Sequence, residues 1–479
     1  MTATFSQLKK NLKKDFSNLR EVRVALLADS ASQFLAQALK GYGHEAGLHF
    51  SLFESDYDQV DMQVMDPGSE LYEHNAGYIV IFHSNRKLLK KFYACPLPDR
   101  AHFAEKHLEH VGKLAETISE RSKARIIYFN FPMLDDSVFG NFGNKLEASW
   151  IYQLRAINFG LMKLAANTTN LFISDIDLLQ ARQGETQTFD AKMYINADMV
   201  FALDFLPHVA KSVTDIILSI EGKFKKCVIL DLDNTTWGGI IGDDGIENIQ
   251  VGDLGVGKAF TELQTWVKQL KARGIIVAVC SKNTESVAKE PFEKHPDMVL
   301  RLEDIAMFVA NWETKVDNIR HIQSVLNIGF DSMVFLDDNP FERNIVRENI
   351  EGIVVPELPE DPAEYLPYLR SLNLFETATF SEEDTLRTRL YQEESGRAQL
   401  GKTFHSEGEF LQNLDMRATV KAFDKYSAPR VAQLSQRSNQ FNLRTVRYTE
   451  DDILRLADSK DHFTLTFALR WRRLSPTPR

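Results

Sequence analysis

Short β-rich apolar runs alternate with longer stretches in which apolar positions recur every three or four residues. In the first part of the chain the runs Val22–Leu27 (VRVALL), Tyr78–Phe82 (YIVIF), Arg125–Phe129 (RIIYF) and Leu171–Ile173 (LFI) predict strands. The stretches Ser32–Lys40, Ala101–Glu120 and Leu146–Ala166 predict helices between them. Strand and helix in alternation imply a parallel sheet of the α/β class, assigned to residues 1–220. A basic segment, Glu221–Lys226 (EGKFKK), then leads into a second series. Its strands, Cys227–Leu232, Ile275–Val279 and Met333–Leu336, are continuous apolar runs apart from Asp231, as expected when helices cover both faces of a sheet. This second domain is expected over residues 221–370, closing at Pro356, Pro359, Pro362 and Pro367, where a linker is expected to begin. A third region, 371–479, opens with a charged helix start at Ser381–Leu390 (SEEDTLRTRL) and ends in RWRRLSPTPR.

Composition narrows the class. With 44% hydrophobic and 26% charged residues, the 479-residue chain is an ordinary globular one, neither disordered nor fibrous. A net charge of −11 argues against a protein built around nucleic-acid backbone contacts, which need a basic face. No apolar run approaches the length of a membrane span, and the lysine-bearing N-terminus lacks the apolar core of a secretory signal. Cys95, Cys227 and Cys280 are odd in number and far apart, so a disulfide framework is not expected and a reduced, cytoplasmic compartment is.

The chemistry is concentrated in CVILDLDNTTWGGIIGDDG, Cys227–Gly245. An apolar strand ends in Asp231 and Asp233, two residues apart and hence on one side of the extended chain, with Thr235 completing a DxDxT pattern. In open parallel sheets ligands bind at this carboxyl end. Like charges there are unfavourable unless a cation joins them. Two further strands also end in polar groups, one in Ser281-Lys282-Asn283 and the other in Asp337-Asp338-Asn339, and Lys315 precedes a helix between them. A carboxylate pair, a hydroxyl, a lysine and a second carboxylate pair at successive loops suit Mg²⁺ and a phosphate, because Mg²⁺ takes hard oxygen ligands and a lysine offsets phosphoryl charge.

This ordered set closely resembles the haloacid dehalogenase (HAD) superfamily. CVILDLDNTTWGG and the later NQFNL are similar to its FkbH-like subgroup over roughly residues 220–450. The resemblance implies that Asp231 is the nucleophile that forms an aspartyl-phosphate. Asp233 would be the acid and then the base, Ser281 would bind the phosphoryl oxygens, and Lys315 would hold nucleophile and phosphate together. Asp338 would bind Mg²⁺ with Asp231 and the Asp233 carbonyl, supported by Asp337. Thr235, Asn283 and Asn339 are candidate substrate-binding residues. Neither the interval from Asp231 to Ser281 nor that from Ser281 to Lys315 leaves room for a large cap domain.

The FkbH-like resemblance further implies removal of phosphate from a phosphorylated three-carbon acid such as 1,3-bisphosphoglycerate, coupled to loading a glyceryl unit on an acyl carrier protein. Cys280, next to Ser281, is the candidate acyl relay, against a reading as a core thiol. A stand-alone phosphatase, and a scaffold with an idle site, are the alternatives.

In the first domain Leu26–Ser32 (LLADSAS) resembles the nucleophile block of SGNH-type esterases, with Ser30, Asn85 and His208 as a degenerate site. Ala28 stands where that family has Gly, His83-Ser84-Asn85 replaces its Gly-x-Asn, and Asp204 to His208 is one residue too long. Ser30 then reads as a helix N-cap, in a domain used for docking. The C-terminal region resembles the beginning of a GNAT-like acyltransferase without its pyrophosphate loop. The expected architecture is thus two Rossmann-like parallel-sheet domains, SGNH-like then HAD-like, and a partial α+β segment.

Overall fold

The computed structural model describes residues 3–380, 384, 391, 417–437, 446, 448–459 and 465–470. The chain divides into two compact units, Met1–Leu218 and Ser219–Arg479. The NQFNL segment, the bulk of Ser381–Leu390 and the chain's last residues lie outside the described ones.

The first unit is built on a parallel sheet of β1 (Arg20–Ala28), β2 (Leu48–Glu54), β3 (Tyr78–Phe82), β4 (Arg125–Phe129) and β5 (Leu171–Ser174). Their order is β2-β1-β3-β4-β5, so the chain reverses its direction of travel across the sheet between β1 and β3. Ile79 and Ile81 point into a core shared with Val111, Leu114 and Ile118 of the helix Phe103–Arg121 and with Leu154, Ile157 and Leu161 of the helix Trp150–Asn167. Trp150 is fully enclosed and gives its indole N–H to the Leu134 carbonyl at 2.8 Å. The donor therefore keeps a partner in an apolar setting, which avoids the cost of burying an unpaired polar group.

The second unit carries β6 (Cys227–Leu230), β7 (Ile276–Ser281), β8 (Met307–Ala310) and β9 (Met333–Leu336), all parallel, in the order β8-β7-β6-β9. Strand alternation splits β6 between two cores. Val228 and Leu230 pack with Phe260 and Val267 on one face, and Cys227 and Ile229 with Ile319 and Ile322 on the other. Both faces are covered, as the unbroken apolar runs require. Chain reversal places β6 centrally, so the acids that follow it emerge between the ends of β7 and β9.

The proline-rich stretch is not a linker throughout. Pro362 opens a short 3₁₀ turn and Pro367 lies in the first turn of the helix Tyr365–Leu372. Proline is tolerated there because the first amides of a helix have no intrahelical acceptor. Leu358, Tyr365, Leu369 and Phe375 fill the same core as Val228, so this tail completes the second unit. Farther on, β10 (Arg417–Ala422) and β11 (Leu465–Arg470) form an antiparallel pair. Among the described residues, no helix is long and apolar enough to cross a membrane.

Candidate active site

Asp231 continues the path of β6. Its amide donates to the Leu336 carbonyl of β9 at 2.9 Å, which sets the height of its carboxylate above the sheet. Asp337 and Asp338 leave β9 alongside it. Carboxylate oxygens of Asp231, Asp337 and Asp338 all lie within 4.8 Å of one another, the first two buried and the third partly so. Lys315 reaches into this group: its Nζ is 2.9 Å from Asp231 Oδ1 and also bonds Asp337.

That ammonium is 4% exposed and is the first residue of the helix Lys315–Leu326. The N-cap, Thr314, accepts the Asp317 amide at 3.1 Å and gives its hydroxyl to the Asp317 carboxylate at 2.6 Å. The start of the helix is thereby fixed, and with it the direction of the lysine.

The electrostatics follow from burial. Desolvation pushes the Asp231 carboxyl up to about 6; Lys315 pulls it down and the Asp337 charge pushes it up again. Burial also raises Asp337, against the pull of Lys315. Asp338 is raised by burial and by the Asp231 charge. For Lys315, burial works against the charge, but Asp231 and Asp337 overcome it and hold the ammonium above its ordinary value. One ammonium among three carboxylates leaves an excess of negative charge in a dehydrated place. The donor set is all carboxylate oxygen, which fits a hard divalent cation such as Mg²⁺.

Asp233 faces a different way. Its Oδ1 accepts the Trp237 indole N–H at 3.1 Å and the Ile241 amide at 3.0 Å, and its Oδ2 accepts from the Asn283 amide at 2.8 Å. The carboxylate is aimed by three donors and stands outside the group of Asp231, Asp337 and Asp338. The turn carrying it depends on Asn234, in the left-handed region at φ 54°, and on Gly239 at φ 91°. A Cβ on Gly239 would come within 2.7 Å of Asp244 Oδ2, the oxygen that accepts the Ile240 amide at 2.7 Å.

The remaining positions mostly hold their neighbours. Thr235 gives its hydroxyl to Asp338 at 3.3 Å and accepts the Asp338 amide at 2.9 Å. Asn283 also donates to Ser281 Oγ at 3.2 Å. Asn339 caps the helix Pro340–Asn349 by accepting the Phe341 amide at 2.9 Å, and its own amide donates to Asp337 at 2.8 Å. The side chains of Thr235, Asn283 and Asn339, the candidates for substrate, each hydrogen-bond a protein group in this structure. Cys280 is fully buried, its sulfur 3.8 Å from the Lys315 carbonyl, and burial pushes the thiol up.

Three contributors were not among the candidate residues. Trp237 orients Asp233. Arg343 donates to the carbonyls of Asp337 at 2.9 Å and Asp338 at 2.6 Å, tying down the backbone of the acid pair. Lys282 pairs with Glu342 at 2.6 Å beside the site. Trp237 lay within the acid-bearing loop and Lys282 within the Ser281-Lys282-Asn283 stretch, whereas Arg343 had no sequence signal.

Comparison with known proteins decides the family. A family model described as the FkbH N-terminal domain matches residues 23–218. The crystal structure of the N-terminal part of a Bacteroides fragilis protein, described as containing a phosphatase domain and complexed with Mg, is 52% identical. It covers 79% of this chain and 100% of that one, with a TM-score of 0.76. The chain belongs to the FkbH-like HAD family. Two other solved structures are much more remote from it. A lipase from a goat rumen metagenome is 11% identical, covers 40% of this chain and 96% of its own, and has a TM-score of 0.31. A Legionella pneumophila protein described as a HAD superfamily (subfamily III A) hydrolase is 16% identical, with the same coverages and a TM-score of 0.21. No curated protein matches.

The SGNH-like residues of this FkbH-like chain are not joined into a triad. Ser30 Oγ is buried without a hydrogen-bond partner, so no base reaches it. The helix after β1 is instead entered at Ser32, whose hydroxyl donates to Glu54 at 2.6 Å and makes no capping bond. Ser30 is therefore not the N-cap that its place after β1 suggested. Asn85 donates to the Pro132 carbonyl at 3.0 Å while its Oδ1 is unpartnered. His208 is half-buried against Phe205, with burial and the nearby Lys211 lowering its pKa.

Proposed function

We propose that this protein is a Mg²⁺-dependent phosphatase or phosphoryl-group transferase whose reaction runs through Asp231. The observation that carries the reading is the cluster of Asp231, Asp337 and Asp338 around the Lys315 ammonium. Asp231, Asp337 and Asp338 would hold Mg²⁺, which, when bound, neutralises charge on the phosphoryl oxygens. The Mg complex of the Bacteroides fragilis relative supports the same metal here.

Asp231 attacks phosphorus, and the bond to the leaving oxygen breaks. Lys315 holds the nucleophile in place and offsets the developing charge. Asp233 gives its proton to the leaving oxygen. It then takes a proton from the water that attacks the aspartyl-phosphate, and phosphate and the free Asp231 carboxylate result. Asp231, beside the Lys315 ammonium, serves as the nucleophile, and Asp233, held apart from it by Trp237, Ile241 and Asn283, serves as the acid and then the base. Ser281, the last residue of β7, would bind a phosphoryl oxygen through its hydroxyl.

The finer reading is that the donor is a phosphoglycerate-type compound and that its glyceryl unit is loaded on an acyl carrier protein. Membership of the FkbH-like family supports it. The test is intact-mass measurement of candidate carrier proteins after incubation with this protein, Mg²⁺ and 1,3-bisphosphoglycerate, with phosphate release followed in parallel. A glyceryl adduct supports coupled loading, and phosphate release without it reduces the reading to a phosphatase. Asp231→Asn, nearly isosteric but a poor nucleophile, should abolish phosphate release. Retention of more than a few per cent of wild-type turnover by a folded variant would remove Asp231 from the nucleophile role.

A further inference from the structure

Lys282 and Glu342 form an ion pair that neither the nucleophile, the acid-base residue nor the metal-fitting carboxylates need. Lys282 directly follows Ser281, the last residue of β7, and Glu342 is the third residue of the helix that follows β9. β7 and β9 flank β6 on opposite sides. With about 4.8 Å between neighbouring strands, their ends stand roughly 10 Å apart. The 2.6 Å contact between Lys282 Nζ and Glu342 Oε1 therefore bridges the two loops on either side of the strand that delivers Asp231.

The cations beside this site are not equivalent. Lys315 is enclosed and held by Asp231 and Asp337. Arg343 is buried and spent on the Asp337 and Asp338 carbonyls and on Glu357, 3.1 Å away. Lys282 differs from both. Its side chain is 39% exposed, and among the described residues Glu342 is its one hydrogen-bond partner. An ammonium has three N–H donors, so two remain for a ligand. Glu342, at 11% side-chain exposure, is the fixed member of the pair and keeps a long, otherwise mobile side chain at the edge of the site.

We infer that Lys282 binds a second anionic group of the substrate, a carboxylate or a second phosphate, beside the Ser281 hydroxyl that the phosphatase reading assigns to the phosphate being removed. Glu342 is the positioning residue that keeps the ammonium there. The inference rests on the phosphatase reading and deepens it: it makes the protein selective for phosphate esters that carry a further negative charge. A charge-assisted hydrogen bond is shorter and stronger than a neutral one, and it acts here on substrate binding rather than on bond breaking.

The experiment compares three substrates with Mg²⁺ present: 3-phosphoglycerate, 1,3-propanediol bisphosphate and glycerol 3-phosphate. The first adds a carboxylate and the second a phosphate, and the third has no second anion. Wild-type protein should favour at least one of the two substrates with a second anionic group over glycerol 3-phosphate, and whichever it favours identifies the anion. In Lys282→Met that preference, as the ratio of kcat/KM values, should fall about 10-fold or more, chiefly through KM. Lys282→Arg, which keeps the charge, should retain most of it. An unchanged ratio in the Met variant, or no wild-type preference, overturns the inference and leaves the phosphatase reading standing. Failure of the wild type to release phosphate from any substrate, including 1,3-bisphosphoglycerate, overturns both.

Discussion

Replacing Lys315 with Met removes one charge and keeps most of the side-chain volume, so it isolates the electrostatic part of the site. The ammonium is 2.9 Å from Asp231 and bonded also to Asp337. At an effective dielectric of about 20, a unit pair at that distance attracts by roughly 6 kcal/mol before desolvation is counted. Removing one partner of a buried pair costs about 3–5 kcal/mol, because the other charge is left uncompensated. The carboxylates can relieve part of this cost by taking up protons. Asp231 is already pushed up to about 6 with the lysine present, and without it the value rises further. A carboxyl whose folded pKa exceeds its unfolded value binds more proton in the folded state. Its burial therefore costs nothing well below the unfolded value, and stability is lost as pH rises through the folded one.

The variant should accordingly lose about 3–5 kcal/mol near pH 8 in a chelator and much less near pH 5. Added Mg²⁺ restores positive charge to the same carboxylates, so it should recover more stability in the variant than in wild type, about 2.7 kcal/mol at a hundredfold excess over its dissociation constant. Hydrogen exchange of the β6 amides, Cys227–Leu230, reads the local stability directly. Phosphate release should drop by about 10²–10³, the usual effect of losing one group that stabilises transition-state charge. A loss equal at pH 5 and pH 8 and unmoved by Mg²⁺ would refute the electrostatic reasoning and leave only a packing defect.

Two other substitutions separate the remaining roles. Asp338→Ala deprives the carboxylate group of one anionic oxygen ligand and should raise the Mg²⁺ needed for half-maximal phosphate release by about 10-fold or more; full activity at sub-millimolar Mg²⁺ would place the metal elsewhere. Cys280→Ser buries a hydroxyl in an apolar strand at a cost of roughly 1–3 kcal/mol. It should therefore scale carrier loading and phosphate release down together, and selective loss of loading on folded protein would restore the thiol as an acyl relay.

The parts of this fold that could be read from sequence share one property: their signal is local. Tyr78–Phe82 and Met333–Leu336 are unbroken apolar runs and Arg125–Phe129 is one after its first residue, and the strands have those same bounds. β8 (MFVA) is only four residues long, and β2 (LHFSLFE) interleaves apolar with polar residues, so neither stood out. The Pro-rich tail was misleading because proline signals where a helix cannot continue but says nothing about its first turn. In the site, Asp231, Asp337, Asp338 and Lys315 were legible from residue type at strand and helix ends. Two of the supporting partners were not. Arg343 contributes through the carbonyls five and six residues before it, a group every residue carries, and Lys282 through a carboxylate sixty positions away, and neither leaves a trace in the motif.

An α-helix turns about 100° per residue, so a side chain on its first residue has its bearing set by where the helix begins. Lys315 is that residue, and Thr314 decides the beginning. A helix that started one residue later would swing the ammonium a quarter-turn or more, out of reach of both carboxylates. The exposed threonine acts as an angular stop for a group it never touches. Only a side chain that can cap would keep that aim from position 314, a demand set by direction rather than by stability.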